Sequence, residues 1–278
     1  MNVLIARVRV VLPVVGVLLV LVGLFADVGW LELAGFVVLL VGMACYFVLG
    51  RVRAAPRRVR LPVIGRWVAL NSPANRVPSH GLHAYGQTYA LDLVHEPPDR
   101  PRPSFGSGSG FRPPSEFPAF GQPVLAPADG VVVRARNRAR DHRSRNSWAG
   151  IGYLLIEGTV REMLGPGRIL GNHIVLNLGD GVYAALAHLR RNSAQVKVGD
   201  PVRAGQHIAD CGNSGNSTEP HLHVQLMDHP WVAVAAGLPV EFESYEVEGE
   251  RRSGIPRNGE PFVVTSPHGG GPSSPDVS

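Results

Sequence analysis

The sequence predicts an all-β soluble domain preceded by a hairpin of two transmembrane helices. Short apolar runs bounded by turn residues recur through the second half of the chain, a pattern typical of strands. The chain has 33 glycines and 24 prolines in 278 residues, which favours many turns over long helices. The first fifty residues differ, because they hold two long apolar runs.

The two apolar runs, residues 8–26 and 31–50, each have the roughly 17–25 residues that a spanning helix needs. A polar break at Asp27 separates them, and no small-residue cleavage site of a signal peptide lies between them. We therefore predict a transmembrane hairpin over residues 1–52, followed by a basic juxtamembrane linker over 53–70. The predicted location is the cell membrane, with two passes.

Arginines lie on both sides of this predicted hairpin. Arg7 and Arg9 lie at the beginning of the first run and a cluster follows the second, consisting of Arg51, Arg53, Arg57, Arg58 and Arg60. This cluster explains much of the formal charge of +5 as membrane-proximal, so no nucleic-acid partner is predicted. The positive-inside rule places both ends of the hairpin, and with them the soluble domain, in the cytoplasm.

The soluble domain is predicted over residues 71–248. Its expected strands lie at 89–94, 130–135, 153–156, 173–178, 182–188, 207–211, 221–227 and 239–247. Residues 95–121 are rich in proline and glycine and have no periodicity, so we predict a long inserted loop. Residues 249–278 are predicted to form a largely disordered tail, in which His268 is incidental.

Only two cysteines are present, Cys45 in the second apolar run and Cys211 in the soluble part. This count excludes a disulfide framework and a cysteine-rich zinc site. Histidines are more numerous, and two of them, His221 and His223, lie in the stretch PHLHVQL. Because side chains on a strand alternate between faces, these two point the same way and can hold a divalent metal or move protons beside one.

Three stretches, read in order, resemble peptidase family M23, the LytM and lysostaphin type. They are APADGVVV, GNHIVLNLGDGVYAALAHL and VKVGDPVRAGQHIADCGNSGNSTEPHLHVQL. The resemblance implies an antiparallel β-sandwich with a duplicated hybrid motif. It also implies a catalytic zinc ion held by a histidine, an aspartate and the second histidine of the HxH pair, which correspond here to Asp92 and His223 with a further histidine. His188 and His221 would then be the catalytic partners beside the metal.

The first ligand departs from the family pattern. The usual histidine four residues before the aspartate is replaced by Thr88. His80, in VPSHG, and His83, in LHAYG, are the candidates, and the resemblance to a divergent branch of the family favours His80. The expected metal ligands are therefore His80, Asp92 and His223, with His83 as the alternative to His80.

The function expected from this resemblance is that of a membrane-anchored zinc metalloendopeptidase. Its substrate would be peptide, in the cross-links of peptidoglycan, and water activated by the metal would attack the amide. A catalytically weak or inactive module that binds or activates cell-wall hydrolases is the alternative. A biotinyl or lipoyl carrier domain is a third hypothesis, but Lys197 is the only nearby lysine and it lies inside a strand-turn motif.

The expected substrate and the expected topology conflict. Peptidoglycan lies outside the membrane, whereas the arginines favour a domain on the inside. The sequence therefore leaves open the side of the membrane on which the peptidase domain lies.

Overall fold

The computed structural model describes residues 2–163 and 165–265 of the chain. Three helices begin it: α1, Asn2–Val8; α2, Val11–Ala26; and α3, Gly29–Phe47. Helices α2 and α3 form a close-packed hairpin, in which a Cβ atom added to Gly16 would lie only 2.8 Å from the backbone nitrogen of Leu39. Small residues allow such a close approach of two apolar helices.

By length and composition, α3 is the one helix among the described residues that could cross a membrane. Helix α2 is also apolar but has 16 residues, fewer than the predicted run, because it begins only at Val11. The predicted helical hairpin is therefore present, whereas two membrane passes are not established.

The rest of the described chain is mostly β-sheet, as predicted. Its strands are β1 Arg57–Val59, β2 Gly65–Leu70, β3 Leu91–His95, β4 Pro123–Leu125, β5 Gly130–Arg136, β6 Asn172–Asn177, β7 Tyr183–Leu189, β8 Pro201–Val202, β9 His207–Asp210, β10 Leu222–Met227, β11 Gly237–Leu238, β12 Val240–Val247, β13 Glu250–Gly254 and β14 Pro261–Val264. One large sheet follows the order β1-β12-β14-β2-β3-β10-β7-β6-β5-β8, with β11 and β13 at its side. Strands β4 and β9 form a separate pair.

Strand β10 is the centre of the domain, because it pairs antiparallel with both β3 and β7. Every residue of β10 is buried. Leu222, Val224 and Leu226 belong to the main hydrophobic core, which also includes Val124 of β4 and Ile208 of β9. The alternate positions of the strand therefore face the opposite side of the sheet.

A helix within the predicted soluble domain contradicts the all-β prediction. Helix α4, Trp148–Met163, includes residues 153–156, which the sequence predicted to be a strand. Within the described residues the inserted segment 95–121 is irregular after β3 apart from a 3₁₀ turn at Pro114–Glu116, which agrees with the predicted loop.

Two predicted boundaries are also wrong. The predicted linker, 53–70, contains β1 and β2, which pair with β12 and β14 and so belong to the sheet. The predicted tail, 249–278, contains β13 and β14, whose backbones pair with β12. The remainder of that tail, from residue 266 and including His268, lies outside the described residues.

The N-terminal helices pack directly on the sheet domain. Arg9 is fully buried and donates hydrogen bonds to the carbonyl oxygens of His83 and Ala235, both at 2.5 Å. Arg7 pairs with Asp228 at 2.9 Å and also bonds the carbonyl oxygen of Val234. At the same open end of the hairpin, near the C-terminus of α3, the amide of His83 donates to the carbonyl oxygen of Tyr46 at 2.7 Å.

Candidate metal centre

Strand pairing brings the predicted aspartate and the second histidine of the HxH pair together. His223 on β10 lies opposite Asp92 on β3 in the antiparallel register. The Nδ1 atom of His223 is 2.8 Å from Asp92 Oδ1. Directly opposed residues on one sheet face have Cβ atoms about 4.5–5.5 Å apart, so this contact follows from the register.

His80 reaches the same carboxylate from the irregular segment before β3. Its Nε2 atom is 3.0 Å from Asp92 Oδ2. His80, Asp92 and His223 offer ligand atoms that all lie within 4.8 Å of one another. A tetrahedral zinc ion with Zn–N distances near 2.0 Å separates its ligand atoms by about 3.3 Å, so the three side chains are close enough to share one ion.

Hydrogen bonds to the far side of each imidazole ring orient these ligand atoms. His223 Nε2 is 2.9 Å from the side-chain oxygen of Gln225, whose Nε2 donates to the carbonyl oxygen of Tyr85. His80 Nδ1 is 3.0 Å from the hydroxyl of Ser79, which itself donates to the carbonyl oxygen of Gln87. In both cases the outer nitrogen is the donor, so in the neutral ring the inner nitrogen is an acceptor that faces Asp92.

Three acceptors that converge in this way require a cation or a proton between them. Burial alone would raise the pKa of Asp92, but His80, His221 and the hydrogen bond from His223 hold that pKa well below its usual range. The pKa of His223 is raised, because the hydrogen bond with Asp92 outweighs the effect of burial, which alone would lower that pKa. A proton and a metal ion therefore compete for the same place. The donor set fits a divalent metal of the type that prefers nitrogen and carboxylate ligands.

The predicted catalytic histidines lie beside this group. The rings of His188 and His221 are 4.7 Å apart, and His221 Nε2 is 3.6 Å from Asp92 Oδ1. His188 Nδ1 is 2.8 Å from the carbonyl oxygen of Ser214, and His221 Nδ1 is 2.8 Å from that of Glu219. Each Nδ1 therefore carries the proton, which leaves Nε2 of each neutral ring as a proton acceptor.

A bulge in β7 directs His188 towards the site. Asn172 of β6 lies opposite Leu189 and His173 lies opposite Ala187, so His188 is an extra residue in the ladder. Its φ of 60° lies in the left-handed region, which is uncommon for a residue other than glycine. Bulges of this kind re-aim a side chain next to a functional site. Burial lowers the pKa of His188 well below its usual value, with further contributions from His221 and His223.

His83, the alternative first ligand, lies apart from these groups. Its ring is buried and its Nδ1 is 3.0 Å from the hydroxyl of Thr88, the residue at the usual ligand position. Among the described residues the cluster with metal-binding geometry includes His80 and does not include His83.

The cleft over these side chains has a volume of about 410 Å³ and walls that the sequence did not predict. One wall comes from the end of α3, with Tyr46 and Phe47, and another from α4, with Leu154 and Leu155. Sequence reasoning also missed Asn71, whose amide donates to Asp92 Oδ2 at 2.8 Å, and Gln225. The position of Gln225, two residues after His223 on the same strand face, was the available signal.

Comparison with known proteins identifies related sequences. The family described as Peptidase family M23 matches residues 153–235, a range that includes His188, His221 and His223. The glycyl-glycine endopeptidase ALE-1 of Staphylococcus capitis is 34% identical over 102 residues, which cover 34% of this chain and 28% of that protein. The peptidoglycan DD-endopeptidase ShyA of Vibrio cholerae is 29% identical over 123 residues, which cover 44% of this chain and 21% of that protein. The chain thus spans less than a third of the length of these relatives.

Among solved structures, the catalytic domain of lysostaphin from Staphylococcus simulans is 24% identical. The superposition covers 56% of this chain and 76% of that one, with a TM-score of 0.32.

Proposed function

We propose that this chain, whose residues 153–235 match peptidase family M23, is a membrane-anchored zinc endopeptidase that hydrolyses peptide bonds in peptidoglycan cross-links. The convergence of His80, Asp92 and His223 beside two further histidines is the observation that carries the proposal. The substrate class follows from the activities named for two relatives, a glycyl-glycine endopeptidase and a peptidoglycan endopeptidase.

The division of roles follows from the hydrogen bonds. His80, Asp92 and His223 would hold the zinc ion, since the atoms that they direct at one another are acceptors. Hydrogen bonds on the outer nitrogens of the two histidine rings hold these atoms in place. When bound in such a site, zinc lowers the pKa of water and polarises a carbonyl group. His188 and His221 present Nε2 atoms as proton acceptors, so they are placed to take a proton from the attacking water and return it to the leaving amine.

The anchor in this proposal is the α2–α3 hairpin, and the peptidase domain lies outside the membrane, where its substrate is. The arginine distribution argues for the opposite side. Fusion of two reporters to the C-terminus resolves the conflict. An alkaline phosphatase, active only outside, should be active, and a fluorescent protein that matures only inside should be dark. The reverse result would exclude peptidoglycan as the substrate.

Metal analysis and hydrolysis of purified cell wall separate the peptidase from a binding or activator module. The purified full chain should contain about one zinc per molecule and should release cross-link fragments in a chelator-sensitive reaction. Protein that binds cell wall but neither holds metal nor releases fragments would support the module instead.

Single substitutions test the individual roles. His223→Ala should lose the bound zinc, because it removes a ligand between Asp92 and Gln225. His221→Ala should keep the zinc and lower kcat by about 10²- to 10⁴-fold, the usual contribution of general acid–base catalysis. Hydrolysis retained by His223→Ala would contradict the assignment.

The first ligand is tested by a matched pair. His80→Ala should lose zinc, whereas His83→Ala should retain it, since His83 faces Thr88. Zinc content of both purified variants is the measurement, and the opposite pattern would assign the ligand role to His83.

A further inference from the structure

Helix α4 has its apolar side turned away from the protein. Its outward residues include Tyr153, Leu155, Ile156 and Val160, and Leu155 and Ile156 are 67% and 71% exposed. Its inward side carries charge, because Glu157 pairs with Arg145 and with Arg161. A surface helix of a water-soluble protein has the reverse arrangement. An exposed apolar face of this kind marks an interaction site.

The inward contacts hold α4 over the metal centre in this orientation. Arg145 is buried, bonds the carbonyl oxygen of Ser217 at 2.9 Å and pairs with Glu157. Arg161 bonds the carbonyl oxygen of Gly215 and Glu157. These carbonyl groups belong to the loop that precedes the HxH strand. The outward direction of the apolar residues is therefore fixed by ion pairs on the other side of the helix, in which Arg145 is buried and Glu157 and Arg161 are partly buried.

Aromatic side chains from the inserted loop extend the same surface. Phe105 packs edge-on against Trp148 with ring centroids 5.3 Å apart, and Phe111 packs against Tyr153 at 6.0 Å. Trp148 is 82% exposed. Tryptophan and tyrosine are enriched at the level of lipid headgroups, where an apolar ring meets water. We call the side chains of Trp148, Tyr153, Leu155, Ile156, Val160, Phe105 and Phe111 the outer face.

The outer face lies next to the point where the anchor meets the domain. Leu155 lines the same cleft as Tyr46 and Phe47, the last two residues of α3. The residues that follow, Val48 and Leu49, are apolar and exposed as well. The apolar surface of the hairpin and the outer face of α4 are thus neighbours at one edge of the metal-site cleft. This position argues that both surfaces contact the same lipid bilayer.

We propose that the outer face of α4 docks in the interfacial layer of the lipid bilayer that holds the hairpin, so that the metal-site cleft opens at the membrane surface. The inference rests on the membrane anchor of the proposed function. It does not depend on the reaction. A helix with this arrangement lies in the plane of the interface with its apolar side buried about 5–10 Å into it.

Site-directed spin labelling of the full chain in phosphatidylcholine–phosphatidylglycerol nanodiscs tests the docking. Single cysteines are introduced as Ile156→Cys on the outer face, Leu40→Cys on α3 and Val263→Cys on β14, whose strand does not line the cleft. The native Cys45 and Cys211 are both buried, so the unsubstituted chain is the labelling blank. The measurement compares relaxation of each label by oxygen, which concentrates in lipid, and by a water-soluble nickel complex.

Labels at Ile156→Cys and Leu40→Cys should be relaxed more by oxygen than by nickel, and the label at Val263→Cys should behave in the opposite way. An Ile156→Cys label that matches Val263→Cys while Leu40→Cys remains in lipid would overturn the docking. Dipolar broadening between two Ile156→Cys labels would instead assign the outer face to a second copy, and would also overturn it. A Leu40→Cys label in water would refute the anchor and the docking together. Loss of hydrolysis with the label pattern intact would refute only the peptidase reaction.

Discussion

Gln225 decides which nitrogen of His223 faces Asp92. Its side-chain oxygen accepts from His223 Nε2, and its own amide is fixed by a 2.8 Å bond to the carbonyl oxygen of Tyr85. This bond needs a glycine at position 86, because a Cβ atom there would lie 2.7 Å from Gln225 Nε2. Partners of this kind, behind the metal ligands, set the tautomer and basicity of a ligating histidine.

We expect Gln225→Met to lower the zinc affinity of the full chain by about 10- to 100-fold, because His223 loses its acceptor while the volume is nearly kept. Competition with a chromophoric chelator measures the affinity. Gln122→Met is the matched control, since the Gln122 amide also donates to a backbone carbonyl but lies away from the centre. Equal affinities for both variants would show that Gln225 has no positioning role.

At the scale of single residues, strand alternation alone predicted that His221 and His223 share a face. In the structure both rings approach Asp92 Oδ1, His221 Nε2 at 3.6 Å and His223 Nδ1 at 2.8 Å. His188 could not be placed in this way. Regular alternation after Ala187, which lies opposite His223, would turn His188 to the other face, and only the bulge reverses this. His80 lies in an irregular segment, where spacing carries no direction, so the choice between His80 and His83 required the fold.

Among the structural elements, α4 depends on its inward ion pairs. Glu157→Gln removes the negative charge between Arg145, which is buried, and Arg161. The loss should cost about 1.5–3 kcal/mol, the usual range for hydrogen bonds to charged groups. Amide hydrogen exchange should therefore become about 10- to 100-fold faster in α4, with the central strands unchanged.

The control for α4 is Glu116→Gln, which breaks an exposed pair with Arg112 in the inserted loop. Exposed pairs contribute little, so this variant should leave exchange in α4 as it is. Exchange in α4 that is equally slow in both variants would contradict a holding role for Glu157.

Helix α4 also shows what the pattern of apolar residues in a sequence cannot predict. Residues 153–156 are a short apolar run, and periodicity cannot assign such a run to a helix or a strand. In addition, a sequence pattern is interpreted on the assumption that apolar residues face the core, whereas the apolar side of α4 does not. Strands β13 and β14 were missed for a related reason. Residues 250–253 of β13 are all exposed, so no alternation of apolar and polar residues indicates the strand. Strands that line the core, such as β10 and β12, were predicted closely.

At the scale of the whole molecule, Arg9 joins the N-terminal helices to the sheet domain. Arg9→Met removes two charged donors from the carbonyl oxygens of His83 and Ala235 in a fully buried place. We expect a loss of about 2–3 kcal/mol and a fall in the Tm of the domain of about 5–10 °C, measured by scanning calorimetry in detergent.

Arg58→Met is the control for this substitution, since Arg58 forms an exposed pair with Glu241 and should change the Tm little. If Arg9→Met melts at the same temperature as Arg58→Met, the helices and the sheet do not stabilise one another through Arg9.

The junction at Arg7 and Arg9 also limits where this protein can work. Both arginines bond groups of the sheet domain, and Tyr46 at the same open end of the hairpin does the same, so the described residues join the two parts directly. For a chain anchored as proposed, the sheet domain and its metal centre are held at a constant distance from the bilayer and cannot move farther out. Only wall material that comes within that short reach would be cut, and older, more distant layers would be spared.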